Sequence, residues 1–449
     1  MADIDSGLGM KRIKRDKLSG LVNRAEGPAP VVRPKPTVSP SLSKTEKGEG
    51  SGGVSLIDQL LRRPMVNLDT PEVQRFLAGK RVLVTGAGGS IGSEICRQTL
   101  RFLPERLVLL EQAEGALFEV DQELRQRWLG ADLVPYIADI TDKKRISRIF
   151  NAERPQVIFH CAAHKHVPMM EINPGEAIKN NVFGTKTVAD AAAVCGAAAF
   201  VMVSTDKAVN PTSVMGATKR FAELYIQSLN AAEGSGFRVQ GSEESRGTVA
   251  HNSSLNPESR TPNPRTRFLA VRFGNVLGSS GSVVPIFQKQ IAAGGPVTVT
   301  HPDMRRYFMT IPEASQLVLQ AGAIGQGGEI FILDMGQSVK ILDLAEEMIR
   351  LAGKRPNDEI AIEFTGIRAG EKLFEELATD NEKTRPTTHA KIRVWQLPAA
   401  ASGEIEQSLA RLADVVDGPR ESAIAALMDA VNEYKPTAGV KMRVVTEAA

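Results

Sequence analysis

The stretch Arg81-Val82-Leu83-Val84-Thr85-Gly86-Ala87-Gly88-Gly89-Ser90-Ile91-Gly92 decides the fold. A short apolar strand, Arg81–Thr85, runs straight into a glycine-rich turn, and helical sequence follows. Glycines at 86, 89 and 92, with Gly88 as a fourth, let backbone N–H groups approach a pyrophosphate, and the helix N-terminus favours its negative charge. Gly86, Gly89, Ser90, Ile91 and Gly92 are thus the expected pyrophosphate contacts. Three glycines alone signal little. In the order strand, turn, helix, inside a repeating β/α pattern, they signal a dinucleotide site.

That repeating pattern extends outward from the turn. Further strands are predicted at Arg106–Leu110, Leu133–Ile137, Val157–His160, Phe200–Ser204 and Phe268–Arg272. Helices are predicted near Ser93–Leu103, Gly115–Leu129, Lys143–Ala152, Glu176–Cys195 and Ala217–Leu229. The alternation builds an α/β fold, a doubly wound parallel sheet of the Rossmann type. After Val283 it weakens into Pro/Gly-punctuated segments, which predicts a smaller C-terminal lobe over 283–449 for substrate. Residues 232–266 are rich in Gly, Ser, Glu, Asn, Pro and Arg and are read as a surface insertion in the 81–282 domain.

Glu111 falls nineteen residues past Gly92, at the end of the second strand. A carboxylate there accepts from ribose hydroxyls and repels a 2′-phosphate. No Arg or Lys follows in Gln112-Ala113-Glu114-Gly115, so NAD is preferred over NADP. Asp139, beside Ile140, is placed for the adenine edge, with a turn leading into the next helix as an equal alternative.

Composition narrows the class. The chain has 449 residues, 42% of them apolar and 24% charged, which excludes collagen-like and wholly disordered proteins. Its formal charge of +3 is unevenly spread. Residues 1–53 carry ten Lys/Arg against six acids, a charge of +4, so the remainder stands at −1 and gives no sign of a nucleic-acid partner. The Pro/Ser/Gly/Lys-rich composition of 1–53 predicts a disordered basic tail, and 54–80 a helical lead-in. Three scattered cysteines, Cys96, Cys161 and Cys195, fit a reducing compartment. No apolar run reaches the length of a membrane span and no signal-peptide core follows the N-terminal charges, so a cytoplasmic location is expected.

The chemistry is expected after the fifth strand. Ser204-Thr205-Asp206-Lys207 ends it, and Met215-Gly216-Ala217-Thr218-Lys219 follows. In short-chain dehydrogenases/reductases a hydroxyl residue and Tyr-x-x-x-Lys form the catalytic set, the i,i+4 spacing placing Tyr and Lys on one helical face. Lys219 is in place, but Met215 stands where the tyrosine would be, and a thioether cannot donate a proton. His160, Cys161, His164 and His166 invite comparison with a metal site. Consecutive residues at a strand end face apart, however, and no second Cys/His cluster completes a set, so no metal is expected. The segment, with Ala162 and Ala163, is expected instead to line nicotinamide and sugar.

These motifs resemble the CapD-like nucleotide-sugar 4,6-dehydratases of polysaccharide biosynthesis, which are extended short-chain dehydrogenases. The resemblance rests also on His160–Pro168, Asn180–Thr185, Val271–Gly278, His301–Met309 and Gly366–Leu373. It runs from about Leu56 to Leu377, outside the insertion. Met215 and the lead-in resemble a long, membrane-anchored branch of that family, although its multi-span region has no counterpart in this sequence. The resemblance implies a UDP-N-acetylhexosamine substrate, oxidation at C4 by NAD⁺, removal of the C5 proton, loss of the C6 hydroxyl as water and return of hydride to C6. It implies Asp206 as acid at the C6 oxygen, Lys207 as base at C5, Thr205 ahead of Ser204 as the hydroxyl partner, and Lys219 at the nicotinamide ribose. A relay through Thr205 and water to Lys219 is expected to replace the tyrosine at Met215. Asn181 is expected to order the backbone beside the cofactor, and Lys165 to touch substrate. Arg305, Arg306 and Arg368 suit a diphosphate, Asn275 and Glu371 the nucleotide or sugar. A homo-oligomer is expected from the family alone. The rivals are a nucleotide-sugar C4-epimerase, which needs no Asp206-Lys207 pair, and a non-catalytic NAD-binding scaffold, supported only by Met215.

Overall fold

The computed structural model describes residues 70–232, 266–377, 384–395 and 402–438. The expected tail over 1–53, the lead-in up to residue 69 and residues 233–265 of the expected insertion lie outside them.

Six parallel strands appear where the sequence places them: β1 (Arg81–Thr85), β2 (Arg106–Glu111), β3 (Leu133–Ile137), β4 (Val157–His160), β5 (Ala199–Val203) and β6 (Arg267–Arg272). The nine-stranded sheet runs Thr384–Pro386, Ile392–Trp395, Ile330–Leu333, β6, β5, β4, β1, β2, β3. β1 lies between β2 and β4, so the strand order reverses beside it. A crevice opens at such a reversal, at the carboxyl ends of the strands.

The strands are apolar almost throughout because both faces are covered. Their two-residue period deals side chains alternately to two cores. Leu83, Val108, Ile158 and Phe200 join one cluster, whereas Val82, Val84, Leu107, Phe159 and Val201 join the other. Helix Pro71–Leu77 opens on Thr70, whose hydroxyl accepts from the Val73 N–H, with Pro71 in the first turn.

The 283–449 segment is not one lobe set apart from the sheet. A third core, including Phe287, Val299, Phe308 and Ile349, does hold a smaller layer together. Strand Ile330–Leu333 nevertheless pairs with β6, and Ile392–Trp395 closes that edge antiparallel. Helix Ile311–Ile324 also contributes Ala314, Leu317 and Val318 to the core shared with β1. Apolar alternation is short and Pro-broken in this region, which hides its strands from a periodicity search.

Two helices differ from expectation in a physically instructive way. The first starts at Ser90 rather than Ser93, so Gly92 lies in its first turn. The predicted Glu176–Cys195 helix is split into Pro174–Ala177, a π-helical turn Ile178–Gly184, and Thr185–Cys195. Such wide turns gather at functional sites.

Candidate functional site

A cavity of about 850 Å³ opens at the carboxyl ends of β1, β4, β5 and β6. It adjoins a cleft of about 140 Å³ that reaches past Glu111 and Ile140, and the two share Gly86, Gly89, Cys161, Ala163 and His164.

The glycine turn forms the floor, and its shape explains its composition. Gly86 has φ +65°, and a Cβ there would lie 2.8 Å from the Ala162 backbone nitrogen. A Cβ on Gly92 would lie 2.0 Å from the Gly86 carbonyl oxygen, inside contact distance. Gly89 opens helix Ser90–Leu100 without a side-chain cap. The first-turn N–H groups therefore point at the cavity without a side chain to satisfy them. Gly86, Gly89, Ser90, Ile91 and Gly92 all line it, and Ala162 and Ala163 line the adjoining cleft.

Glu111 ends β2 with one carboxylate oxygen accepting from the Gly88 N–H (3.1 Å) and the other from Gln112 and Ala113 (2.9 and 3.0 Å). Asp139 is exposed and lies outside the lining of both spaces; its carboxylate accepts from the Thr141 N–H and hydroxyl, both at 2.8 Å. The next helix is capped by Asp142, which accepts from the Arg145 N–H. Asp139 thus closes the turn that leads into this helix.

His160 is wholly buried, with Nδ1 2.8 Å from the Thr85 hydroxyl and Nε2 2.9 Å from that of Thr185. Burial, aided by the Lys219 charge, pushes its pKa down to about 3. Both ring nitrogens are engaged, and no group of three or more His, Cys, Asp or Glu among the described residues is placed to hold a metal ion. Asn181, also fully buried, lies in the π-helical turn. Its carbonyl accepts from the His164 N–H (2.8 Å), and its amide donates to the His164 carbonyl (3.0 Å) and the Thr218 hydroxyl (3.1 Å). It ties the loop after β4 to helix Val214–Ala232 rather than lining the cavity.

That helix brings Met215 and Lys219 to the cavity wall on one face. Lys219 is 3% exposed, and burial pushes its pKa down to about 8 against the pull of Glu223. Ser204 is committed elsewhere: its hydroxyl donates to Glu223 (2.7 Å), which is paired with the buried Arg272.

β5 ends at Val203, and Asp206–Ala208 form a 3₁₀ turn. In a continuing strand, Asp206 and Lys207 would point apart. In the turn, Lys207 Nζ donates to Asp206 Oδ1 at 2.9 Å, and the Thr205 hydroxyl donates to the same oxygen at 2.9 Å. Lys207 also donates to Asn275 Oδ1 (3.2 Å). Thr205, Lys207 and Asn275 line the cavity, whereas Asp206 is 1% exposed and stands just behind the wall. Among the described residues its Oδ2 has no hydrogen-bond partner; it faces Gly274, where a Cβ would come within 2.9 Å of it. Without a Cβ at Gly274, that close packing is possible.

The expected cationic contacts divide. Arg305 is exposed and outside the cavity lining; two-residue pairing with Val339–Lys340 turns it away while Arg306 turns inward. Buried Arg306 donates to the carbonyls of Arg305 (2.7 Å) and Lys372 (2.8 Å), so much of its fork fastens the 371–375 segment. Arg368 lines the cavity and meets Glu371 through both Nε (3.3 Å) and Nη2 (3.1 Å). Lys165 also lines it, donating to the Ser280 carbonyl at 2.8 Å.

Glu375 escaped the sequence reading. It lines the cavity, its Oε1 lies 3.8 Å from Lys207 Nζ, and its Oε2 is buried without a partner among the described residues. Its position two residues beyond Leu373 in the Gly366–Leu373 motif was the available signal.

A doubly wound sheet, a side-chain-free turn at its reversal and a Lys in the i+4 position of the following wall define a short-chain dehydrogenase-type protein. The chain belongs to the family described as polysaccharide biosynthesis protein, whose model matches residues 82–397. It is 52% identical over 337 residues to the capsular polysaccharide biosynthesis protein CapD of Staphylococcus aureus, covering 75% of this chain and 51% of that one. The chain thus spans about half the length of that relative. It is 32% identical to a UDP-N-acetylglucosamine 4,6-dehydratase (inverting) of Campylobacter jejuni, over 68% of this chain and 79% of the relative. It is 31% identical to a UDP-glucose 4-epimerase of Rickettsia canadensis, over 68% and 80%. Among solved structures, Pen from Bacillus thuringiensis superimposes with a TM-score of 0.61 at 32% identity, covering 73% of this chain and 90% of that one. Among the described residues no helix is long and apolar enough to cross a membrane.

Proposed function

We propose that the protein is a UDP-N-acetylhexosamine 4,6-dehydratase that works with NAD and makes a 4-keto-6-deoxy sugar for a surface polysaccharide. The observation that carries this is the Asp206–Lys207 pair, 2.9 Å apart at the wall of the cavity that the glycine turn floors. Elimination of water across C5 and C6 needs a base for one carbon and an acid for the oxygen of the other. Epimerisation at C4 needs neither.

NAD fits the turn because Gly86 and Gly92 leave room that any Cβ would fill. Glu111 stands at the end of β2, where a ribose would lie, and favours NAD over NADP. When bound, the nicotinamide supplies the hydride acceptor at C4 and the donor at C6. Lys219 holds the ribose, and the Thr205 hydroxyl orients the sugar at C4. Oxidation at C4 makes the C5 proton acidic, and Lys207 removes it. Asp206 protonates the leaving C6 oxygen. Arg368 holds the diphosphate end, Glu371 orients the Arg368 guanidinium and accepts from a hydroxyl of the nucleotide or sugar, and Asn275 steadies Lys207. With Met215 unable to carry a proton, the C4 hydroxyl proton leaves through Thr205 and water toward Lys219, whose depressed pKa suits it to receive it.

The test is to incubate the protein with UDP-N-acetylglucosamine in D₂O and follow the sugar by NMR. A new C6 methyl group with deuterium at C5 is the expected outcome. Inversion at C4 without exchange would make it an epimerase, and an unchanged spectrum a scaffold.

A further inference from the structure

Lys207 faces two carboxylates, of which the proposed reaction uses one. Asp206 comes from the same turn, and Glu375 from a segment fastened by Arg306. Glu375 Oε1 is 3.8 Å from Lys207 Nζ and 3.8 Å from Arg306 Nε, and its side chain is 3% exposed. At that distance the contact with Lys207 is Coulombic rather than a hydrogen bond, and burial keeps it from being screened. We propose that Glu375 is a positioning residue that stabilises the positive charge growing on Lys207 as it takes the C5 proton.

The need for it follows from the roles just assigned. For elimination to begin, Asp206 must be a carboxylic acid and Lys207 a free amine. As the C5–H bond breaks and an N–H bond forms, Lys207 becomes an ammonium while Asp206 still holds its proton. At that moment Asp206 offers no negative charge, and among the described residues Glu375 is the other carboxylate within 4 Å of the nitrogen. A fixed charge aimed at a charge that develops only during reaction lowers the barrier without tightening substrate binding.

Charged groups surround both side chains. Lys207 faces Asp206, Glu375 and, at longer range, Arg306. Glu375 faces Lys207, Asp206, Arg306 and Lys372. Burial pulls the Lys207 pKa down, but Asp206 and Glu375 outweigh it and leave it raised. Burial also raises the pKa of Glu375, against the cations around it.

The inference rests on Lys207 acting as the base, so its test has one arm that does not depend on turnover. The first arm measures competitive amine labelling of Lys207 across pH, by mass spectrometry, in the full chain and in Glu375→Gln and Glu375→Asp. The expected result is a labelling midpoint lower by about one pH unit or more in Glu375→Gln, with Glu375→Asp near the parent. The second arm follows dehydration. In Glu375→Gln the rising limb of kcat/KM should move to lower pH in step with labelling, and plateau kcat should fall about tenfold with KM for the sugar nucleotide unchanged. A loss of kcat with the midpoint and limb unmoved would mean that Glu375 serves only packing, and would overturn the proposal. So would a rise in KM with kcat intact. If the parent chain makes no 4-keto sugar while the labelling midpoint still moves, the coupling stands and the dehydratase assignment fails.

Discussion

The two halves of the cavity are built by opposite means. The cofactor half is a continuous stretch of chain, β1, turn and helix, whose chemistry lies in backbone N–H groups and in the absence of Cβ atoms at Gly86 and Gly92. The reaction half is assembled from side chains distant in sequence: Lys207, Asn275, Arg306 and Glu375 meet only once β5, β6 and the segment after Ile341–Leu351 are in place. The first half should therefore fail through shape and the second through charge.

The largest effect is expected in the reaction half. Lys207→Met should reduce dehydration by about a thousandfold while leaving NAD binding and the circular dichroism spectrum unchanged; turnover and NAD titration check both. In the cofactor half, Gly92→Ala should destabilise the fold by about 1–3 kcal/mol, because its Cβ meets the Gly86 carbonyl. Gly115→Ala is the control: nothing lies within 4 Å of its Cβ and its backbone is helical, so its melting temperature should hold or rise.

How much of this was legible beforehand follows the same division. The six parallel strands and the glycine turn could be read because apolar runs and missing Cβ atoms are local properties of sequence. The start of the first helix at Ser90 was missed because Gly92 reads as part of the turn, although its place inside the helix is what requires a glycine there. Asp206 and Lys207 could be found as a pair, but only the 3₁₀ turn shows how adjacent residues meet. That Arg306 rather than Arg305 faces inward is decided by strand pairing, which is not a local property of sequence. Glu375 carries no mark beyond its nearness to the Gly366–Leu373 motif, since its significance comes from a lysine brought to it by the fold.

A third test lies beneath both halves, at His160. Its folded pKa of about 3 is below the ordinary value of 6.5, so its contribution is complete above pH 6.5. It is lost as pH falls from 6.5 toward 3, since the unfolded chain binds a proton there and the folded chain does not. Stability should therefore drop by about 1.4 kcal/mol per pH unit on this account within that window. In His160→Gln, denaturant titrations at several pH values should show a shallower slope; an unchanged slope would remove His160 from the account.

The smallest effects separate the cations at the cavity rim. Arg368→Ala should raise KM for the sugar nucleotide about tenfold, consistent with loss of one exposed charged contact. Arg305→Ala should change it less than twofold, because Arg305 lies outside the cavity lining. Steady-state kinetics on the two variants would reverse their assignment if the order came out the other way.

The distance in sequence between the glycine turn and Glu375 also orders events during synthesis. A ribosome releases β1 and its turn early, and Glu375 only after the β6 strand and the Ile330–Leu333 strand have followed. A growing chain therefore acquires the glycine turn well before the carboxylate that steadies the charge on Lys207. The reaction half is thus complete only after most strands of the sheet have been made.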